Sequence, residues 1–511
     1  MLHGDVLGER ARLTPDKVAL VVAATGDRLT YRRLDERASA CARAWRHALG
    51  LSNGDRIGLL ALNRVEFLDQ FFAAGKSGIV VVPIGTRLTA HEIAYIVRDS
   101  GMRALVYDGA FASVVRELQT LVELEHWLAL DAPALPGHVR FSDLLSRPTT
   151  HDPRATVSPE DPYCLLYTSG TTGKPKGVVF PHRMIAWNAY NTVMSWQLRD
   201  TDVAQIFTPL YHSGGVGVFL LPLFAAGGTL VLHAGFDTGE IWRTIEGERC
   251  TVVFGVPSIF KLLMEDPAFA TTDLSSVRWL ISGGAPLPLY LIEAYQARGL
   301  VFKQGYGLTE VGVNCFAMTV EQSVAKKGSI GTPMMFTEAR LVDADGRDVP
   351  TGEVGELLLK GPHVCSGYWN NPEATAAALD RDGFFHTGDL ARRDGDGFFT
   401  IAGRKKDMLI SGGVNVYPAE IEGELLLHPS VKDAAVIGVP HPTWGEVGVA
   451  FVVARFSPPP APDELAAFLA ARLAKYKTPK EFIFVDSLPR TAYGKVVKGE
   501  LAATYRNKAG G

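Results

Sequence analysis

The 511-residue sequence has few cysteines, little net charge and no long unbroken apolar run, and each shortage excludes a class of protein. Its 5 cysteines include no Cys-x-x-Cys pair, which argues against a disulfide framework and a structural zinc site and predicts a reducing, cytoplasmic location. The longest apolar stretch, residues 215–232, is interrupted by Pro222 and two glycines, whereas a membrane span needs about 20 unbroken apolar residues. A net charge of −4 gives no electrostatic reason to expect nucleic acid as a ligand.

The remaining composition, 47% hydrophobic and 21% charged, is that of a globular enzyme with about three domains or subdomains. Short apolar runs alternate with helical patterns and predict an α/β fold with a buried sheet. These runs are 163–167, 203–210, 229–232, 251–256, 277–282 and 301–304. Between about 335 and 402, closely spaced turn signals predict a β-rich subdomain of hairpins. Residues after about 403 predict a small α+β domain, with helices over 419–427 and 463–474.

One segment, Tyr167-Thr-Ser-Gly-Thr-Thr-Gly-Lys-Pro-Lys-Gly177, directly follows an apolar run. Glycines, hydroxyl side chains and two lysines are concentrated in it, so its backbone N–H groups and side chains can surround phosphate oxygens. It is not a Walker A loop, because the Gly-x₄-Gly-Lys-Ser/Thr spacing is absent and Pro175 disfavours a helix at Lys174. A plain flexible linker is the alternative interpretation. The position after a strand favours phosphate binding.

This loop resembles the signature of the adenylate-forming superfamily, which includes acyl-CoA synthetases, luciferases and the adenylation domains of peptide synthetases. Further segments match that family in the expected order, from about residue 10 to residue 500, and are most similar to its fatty-acyl- and aryl-CoA synthetase branch. They are Pro209-Leu-Tyr-His-Ser213, Gly283-Gly-Ala285, Gly305-Tyr-Gly-Leu-Thr-Glu310, His386-Thr-Gly-Asp-Leu390, Gly403-Arg-Lys-Lys-Asp407, Ser411-Gly-Gly-Val-Asn-Val-Tyr-Pro-Ala-Glu-Ile-Glu422 and Pro489-Arg-Thr-Ala-Tyr-Gly-Lys495.

The resemblance implies a large N-terminal domain, residues 1–402, that binds ATP and the acyl group. It also implies a hinge at 403–409, centred on Lys406, and a mobile C-terminal domain at 410–511 that carries a catalytic lysine, Lys495. The implied ATP and AMP site consists of Thr168, Ser169, Gly170, Thr171, Thr172, Gly173, Lys174, Lys176, Gly283, Gly284, Ala285, Gln304, Gly305, Tyr306, Gly307, Thr309, Asp389 and Arg404.

The family pattern also assigns the other ligands. Mg²⁺ is expected at Thr168 and Glu310, since Mg²⁺ usually takes one or two carboxylates together with phosphate oxygens. Catalytic roles are expected for His212, Thr309, Glu310 and Lys495. The acyl pocket is expected at His212, Ser213, Gly214, Gly284, Gly307 and Val311, and CoA at Ser411, Gly412, Gly413, Trp444 and Tyr476.

Four of these side chains also have ordinary structural explanations. His212, on an apolar stretch, has the alternative of a core histidine with satisfied hydrogen bonds. Without the family pattern, Glu310 is a solvated loop glutamate and Lys495 a surface lysine in a basic tail. Asp389 is expected in a turn after residues 384–385, where its carboxylate accepts hydrogen bonds from the ribose hydroxyls, and a hairpin Asx-turn is the alternative. Arg404 is its expected companion.

The expected chemistry is that of an ATP-dependent acid–CoA ligase. A carboxylic acid attacks the α-phosphorus of ATP to give an acyl-adenylate and pyrophosphate, and the CoA thiol then displaces AMP. The predicted pocket segments are 211–219, 282–286, 305–315 and 334–336. They contain no Arg or Lys, which favours a monocarboxylic fatty or aryl acid. An amine or carrier-protein acceptor and a non-catalytic nucleotide sensor are the alternatives. A homodimer is an expectation from the family alone.

Overall fold

The computed structural model describes residues 4–131, 134–146, 154–168, 174–285, 287–490 and 496–509. The first part of the chain alternates helices and mostly buried strands. Its elements are α1 (Val6–Leu13), β1 (Val18–Val22), β2 (Arg28–Thr30), α2 (Tyr31–Arg43), β3 (Arg56–Leu60), α3 (Val65–Ser77), β4 (Val80–Pro83), α4 (Ala90–Ser100), β5 (Ala104–Tyr107), α5 (Ala112–Leu118), β6 (His126–Ala129), β7 (Val139–Arg140) and α6 (Phe141–Leu145).

The second part continues the alternation. Its elements are β8 (Pro162–Thr168), β9 (Lys176–Pro181), α7 (His182–Trp196), β10 (Val203–Ile206), α8 (Ser213–Gly215), α9 (Leu221–Ala226), β11 (Thr229–Leu232), α10 (Thr238–Gly247), β12 (Val252–Gly255), α11 (Pro257–Glu265), α12 (Ala268–Thr271), β13 (Trp279–Ser282), α13 (Leu289–Gln296) and β14 (Phe302–Gln304). The apolar run 203–210 forms a shorter strand than its length suggests, because the chain turns at Pro209, whose carbonyl accepts from the His212 N–H.

The last two parts are the β-rich segment and the C-terminal domain. The first contains β15 (Phe316–Ala317), α14 (Val320–Ala325), β16 (Thr332–Pro333), β17 (Glu338–Val342), β18 (Val354–Lys360), α15 (Pro372–Ala378), β19 (Phe385–Arg393) and β20 (Phe399–Arg404). The second contains β21 (Leu409–Ser411), β22 (Val414–Val416), α16 (Pro418–Leu425), β23 (Val431–His441), β24 (Gly445–Ala454), α17 (Pro462–Ala470), β25 (Glu481–Phe484) and α18 (Lys498–Ala509).

The strands form layered sheets whose topology matches the sequence pattern. A seven-stranded sheet has the order β7-β6-β5-β3-β4-β8-β9 and is parallel except at β8–β9. Two smaller, mainly parallel sheets, β10-β11-β1-β2 and β12-β13-β14, lie beside each other, since the Thr251 N–H donates to the Val203 carbonyl. Parallel strands with both faces covered contain nearly continuous apolar runs, as β4 and β5 do.

The predicted β-rich segment and C-terminal domain are both present. Strands β17-β18-β19-β20 form an antiparallel sheet of hairpins, and β21–β25 form the separate sheet of the C-terminal domain. The C-terminal domain has its own two apolar clusters, one on each face of its sheet. The predicted fold class, an α/β N-terminal domain followed by a smaller α+β domain, is therefore confirmed. Among the helices that the structure describes, none combines the length and the apolarity needed to cross a bilayer.

Candidate active site

The predicted phosphate loop lies between two paired strands. Thr168 at the end of β8 is the cross-strand partner of Lys176 at the start of β9, and the Tyr95 hydroxyl donates to the Pro175 carbonyl at 3.2 Å. Lys174 is exposed. The site residues Ser169, Gly170, Thr171, Thr172 and Gly173 lie outside the described residues. The strand expected before the loop, β8, is confirmed. The residues on either side of the loop are paired with each other in β8 and β9.

The predicted adenine side is built from the ends of two neighbouring parallel strands, β13 and β14. The Gly305 N–H donates to the Ser282 carbonyl at 2.7 Å, and a Cβ at Gly283 would lie 3.7 Å from the Gly305 carbonyl oxygen. Gly284 has a φ of +80°, which favours glycine. Gln304 and Ala285 complete this edge. The Gln304 side chain donates to the Gly328 carbonyl, and Ala285 is exposed.

Gly307 cannot be replaced by a larger residue. A Cβ there would lie 2.3 Å from the Val313 carbonyl oxygen, so the turn that follows β14 requires glycine. This close approach fixes the path of the chain from Tyr306 to the short 3₁₀ turn Thr309–Val311. The family motif at 305–310 thus has a steric basis in this chain.

Asp389 holds Tyr306 and Arg404 in one cluster. The Tyr306 hydroxyl donates to Asp389 Oδ2 at 2.5 Å, and Arg404 Nε contacts Asp389 Oδ1 at 2.5 Å. Burial and then the Asp389 carboxylate raise the pKa of Tyr306 well above its ordinary value, so this hydroxyl stays protonated and donates. Three residues predicted for the nucleotide are thereby in direct contact, and Asp389 itself is 3% exposed.

The expected place of Asp389 in a turn is wrong, because Asp389 lies inside β19. The pairing of β18 with β19 passes from Glu356↔Leu390 to Leu358↔His386, so β19 uses four residues where β18 uses two. Gly388, with a φ of +68°, takes up the extra length. A bulge of this kind redirects side chains, and it turns Asp389 toward Tyr306.

Glu310 is held by a segment that the sequence analysis did not single out. The Tyr368 hydroxyl donates to Glu310 Oε1 at 3.1 Å, and the Cys365 N–H donates to the Glu310 carbonyl at 2.8 Å. The Lys176 Nζ lies 5.1 Å from the centre of the Tyr368 ring. Gly367 adopts a φ of +108°, which favours glycine, so a glycine directly before Tyr368 is a sequence signal for this segment.

A single carboxylate near the phosphate loop fits Mg²⁺, which takes most of its ligands from phosphates and water. Glu310 supplies the carboxylate, and the predicted hydroxyl ligand Thr168 lies on the strand pair that also carries Lys176. Within the described ranges, no group of three or more His, Cys, Asp or Glu side chains could hold a metal alone. The donor set suits a metal that arrives with a nucleotide.

The predicted acyl side is reached through the turn around His212. His212 Nδ1 accepts from the Gly214 N–H at 3.1 Å, and the Ser213 hydroxyl lies 2.9 Å from that of Thr309. Val311 is fully buried in the main core, so its side chain lies behind this surface. Val256, which sequence reasoning did not include, would lie 3.6 Å from a Cβ at Gly284.

The predicted CoA residues lie in the C-terminal domain. The Gly412 N–H donates to the Trp444 carbonyl at 2.8 Å, and a Cβ at Gly412 would lie 3.0 Å from the indole, so the two predicted elements are in contact. Ser411 is buried and Gly413 is exposed. Tyr476 lies on another turn, Lys475–Lys477, and is also exposed.

The predicted hinge is a short 3₁₀ turn, Lys405–Asp407, between β20 and β21. Lys406 is exposed, whereas Lys405 pairs with the buried Glu356 at 2.8 Å. Lys495 lies outside the described residues. The residues that flank its segment, Arg490 and Val496, form an antiparallel bridge.

Comparisons with known proteins identify the family of this chain. Models of the AMP-binding enzyme family and of its C-terminal domain match residues 7–369 and 420–495. The chain is 42% identical to a feruloyl-CoA synthase of an Amycolatopsis species over 97% of both chains. It is 36% identical to the long-chain-fatty-acid–CoA ligase FadD13 of Mycobacterium tuberculosis over 98% of both.

The fold agrees as well. The structure of ATP-bound MatB from Rhodopseudomonas palustris superimposes with a TM-score of 0.87 at 32% identity, covering 98% of this chain and 99% of that one. The chain therefore belongs to the AMP-binding enzyme family, in the acyl-CoA synthetase branch of the adenylate-forming superfamily.

Proposed function

We propose that this protein is an ATP-dependent acid–CoA ligase that activates a monocarboxylic fatty or aryl acid as its acyl-adenylate and transfers the acyl group to CoA. The observation that carries the proposal is the contact of Asp389 with both Tyr306 and Arg404. A buried carboxylate beside an aromatic ring and a guanidinium suits the ribose and base of a nucleotide. The family relationship supplies the reaction class.

The first half-reaction forms the mixed anhydride. A substrate carboxylate oxygen attacks the α-phosphorus of ATP, and the bond to the pyrophosphate oxygen breaks. The carboxylate is already a nucleophile, so the protein has to orient the reactants and stabilise charge rather than supply a base. Mg²⁺, when bound at Glu310, would neutralise phosphate charge. Lys495 would approach from the C-terminal domain and stabilise the charge that grows on the transferred oxygens.

The second half-reaction releases AMP. The CoA sulfur attacks the acyl carbonyl carbon, and the bond from that carbon to the AMP oxygen breaks. Because an ordinary thiol has a pKa of about 8.5, a small bias toward thiolate suffices. Lys495 would withdraw as the C-terminal domain turns about Lys406, and Gly412 and Trp444 would line the path of the thiol.

The chemistry of the pocket supports an acid with one carboxylate. Val256 places an apolar side chain beside Gly284, and the pocket segments 211–219, 282–286, 305–315 and 334–336 contain no lysine or arginine. A second carboxylate would remain without a cationic partner there, which is costly in a buried site. The names of the feruloyl and long-chain relatives both describe acids of this class.

We also place the enzyme in a reducing compartment such as the cytoplasm. All five cysteines are free and buried, so none is arranged as a disulfide. Extracellular proteins commonly use such bonds, which favours a cytoplasmic site of action.

The proposal is tested by acid-dependent exchange of labelled pyrophosphate into ATP. The panel contains fatty acids of increasing chain length, benzoates and hydroxycinnamates, and AMP release is then measured with CoA as the only acceptor. Exchange with at least one monocarboxylic acid, followed by CoA-dependent AMP release, is expected. Exchange without CoA-dependent release would instead indicate an amine or carrier-protein acceptor, and no exchange with any acid would indicate a nucleotide sensor.

A further inference from the structure

The segment 361–369 connects two parts of the nucleotide site that are far apart in sequence. Toward the Glu310 turn, the Cys365 N–H donates to the Glu310 carbonyl at 2.8 Å. Toward the phosphate loop, the Val179 N–H donates to the Gly367 carbonyl at 2.9 Å, and the Trp369 N–H donates to the Gly177 carbonyl at 2.7 Å. The segment therefore runs along β9, which begins at Lys176, while it also braces the turn that carries the carboxylate.

Tyr368 lies near the C-terminal end of this segment and contacts both charged groups. Its hydroxyl donates to Glu310 Oε1 at 3.1 Å, and its ring lies 5.1 Å from Lys176 Nζ. The hydroxyl is the donor in this hydrogen bond, because an ionised carboxylate can only accept. The negative face of an aromatic ring attracts an ammonium group at this distance.

We propose that Tyr368 is a positioning residue that sets Glu310 and Lys176 relative to each other for the metal–triphosphate complex. The hydroxyl fixes the rotamer of the carboxylate, and the ring restricts the lysine. Both groups then stand in place before the nucleotide arrives, which reduces the ordering cost of binding. This inference rests on the proposed function in one respect, since it takes Glu310 as the carboxylate that faces the metal.

Two substitutions separate the hydrogen bond from the ring contact. Tyr368→Phe keeps the ring beside Lys176 and removes only the hydrogen bond to Glu310. Tyr368→Leu removes both contacts. The matched control is Tyr505→Phe, because Tyr505, on α18 of the C-terminal domain, also has a glutamate, Glu481, as the neighbour that raises its pKa after burial.

Two quantities are measured. The first is the Mg²⁺ dependence of pyrophosphate exchange. The second is the binding of Mn²⁺ together with a non-hydrolysable ATP analogue, detected by electron paramagnetic resonance. Losing a hydrogen bond to a charged group predicts that Tyr368→Phe needs at least about 10-fold more metal for half-maximal exchange, with kcat at saturating metal within about twofold of wild type. Mn²⁺ affinity falls by the same factor. Tyr368→Leu additionally raises KM for ATP, and Tyr505→Phe changes none of these quantities.

A Tyr368→Phe variant with the metal requirement and Mn²⁺ affinity of the wild type overturns the inference. A loss of Mn²⁺ affinity in Tyr505→Phe equal to that in Tyr368→Phe also overturns it. If wild-type protein exchanges pyrophosphate with no acid, the proposed function fails, while Mn²⁺–nucleotide binding still decides the role of Tyr368. A second route is Glu310→Gln, in which the charge is absent. In the Glu310→Gln background, Tyr368→Phe should not weaken Mn²⁺ binding further. If it weakens binding there by the same factor as in the wild-type background, the inference is contradicted.

Discussion

At the scale of single residues, Asp389 uses its two carboxylate oxygens for two different neighbours, Tyr306 and Arg404. An amide has only one acceptor oxygen, so Asp389→Asn must lose one contact and presents an NH₂ group to a donor. We expect KM for ATP to rise at least about tenfold, since hydrogen bonds to charged groups are worth about 1.5–3 kcal/mol. Steady-state pyrophosphate exchange measures this change.

The control for this substitution is Asp348→Asn. Asp348 pairs with Arg340 on the same antiparallel sheet, but its side chain is 67% exposed, and exposed pairs contribute little. Its KM for ATP should equal that of the wild type. Equal effects of the two substitutions would show that Asp389 acts through the sheet and not on the nucleotide.

Lys495 is the residue on which the two half-reactions are expected to differ. Lys495→Ala removes one charge-stabilising contact and should slow adenylation by about 10²-fold or more. Thioester formation from supplied acyl-adenylate should be retained, because in the proposed mechanism the sulfur would enter after the lysine has withdrawn. Single-turnover assays of each half-reaction measure the difference, and an equal loss in both would contradict the assigned role.

At the scale of secondary-structure elements, His363 joins the Glu310 turn to α7. The ring donates from Nδ1 to the Val311 carbonyl, because a carbonyl can only accept, and Nε2 then accepts from the Thr337 hydroxyl at 2.7 Å. Thr337 in turn accepts from Asn191 on α7 at 3.1 Å. This chain of hydrogen bonds requires a neutral imidazole, and His363 is completely buried.

Acid should therefore weaken this junction. Burial lowers the pKa of His363 below its ordinary value of 6.5, so below that pH the unfolded chain binds more protons than the native protein. Stability from this group is complete above pH 6.5 and falls as the pH decreases, by up to about 1.4 kcal/mol per pH unit. We expect His363→Asn to be less stable than wild type at pH 7 but to lose less stability between pH 6.5 and 5, measured by urea denaturation.

His91→Asn is the matched control for the acid prediction. His91 is exposed on α4, so its replacement should leave the fall in stability between pH 6.5 and 5 unchanged. A slope for His363→Asn identical to that of the wild type would contradict the prediction, because it would show that His363 binds protons equally in the native and unfolded states over this range.

The secondary-structure elements also explain which features could be predicted from the sequence. Apolar runs identified the buried parallel strands such as β12 and β13, because burial on both faces leaves a local signature. The bulge that moves Asp389 into β19 depends on pairing with β18, and Tyr368 acts through a segment about 60 residues from Glu310. Contacts of this kind are set by tertiary packing, and no local pattern of residues specifies them.

At the scale of the whole molecule, the two domains meet across a groove of about 660 Å³. Its walls are Leu289, Tyr290 and Glu293 on α13 and residues 426–429 with Arg455 of the C-terminal domain. The covalent connection is the short turn Lys405–Asp407, whose first lysine pairs with Glu356 of the N-terminal domain. Rotation between the domains would therefore begin after Lys405.

Lys406→Pro tests that pivot. Proline fixes φ near −65°, a value compatible with the 3₁₀ turn seen here, and should therefore favour one arrangement of the domains. We expect the ratio of the adenylation and thioester-forming rates to change at least about tenfold. Lys406→Ala, which removes the same charge and leaves φ unrestricted, should keep the ratio within about threefold. A proline variant with an unchanged ratio would place the pivot elsewhere.

The burial of the thiols gives a practical means to watch such rotation. Burial raises the pKa of all five cysteines, so each is both enclosed and protonated. Maleimide dyes need an accessible thiolate, and the native chain offers them none. Two new surface cysteines, one per domain, could thus carry a donor and an acceptor fluorophore for energy-transfer measurements on single molecules without removal of any natural thiol.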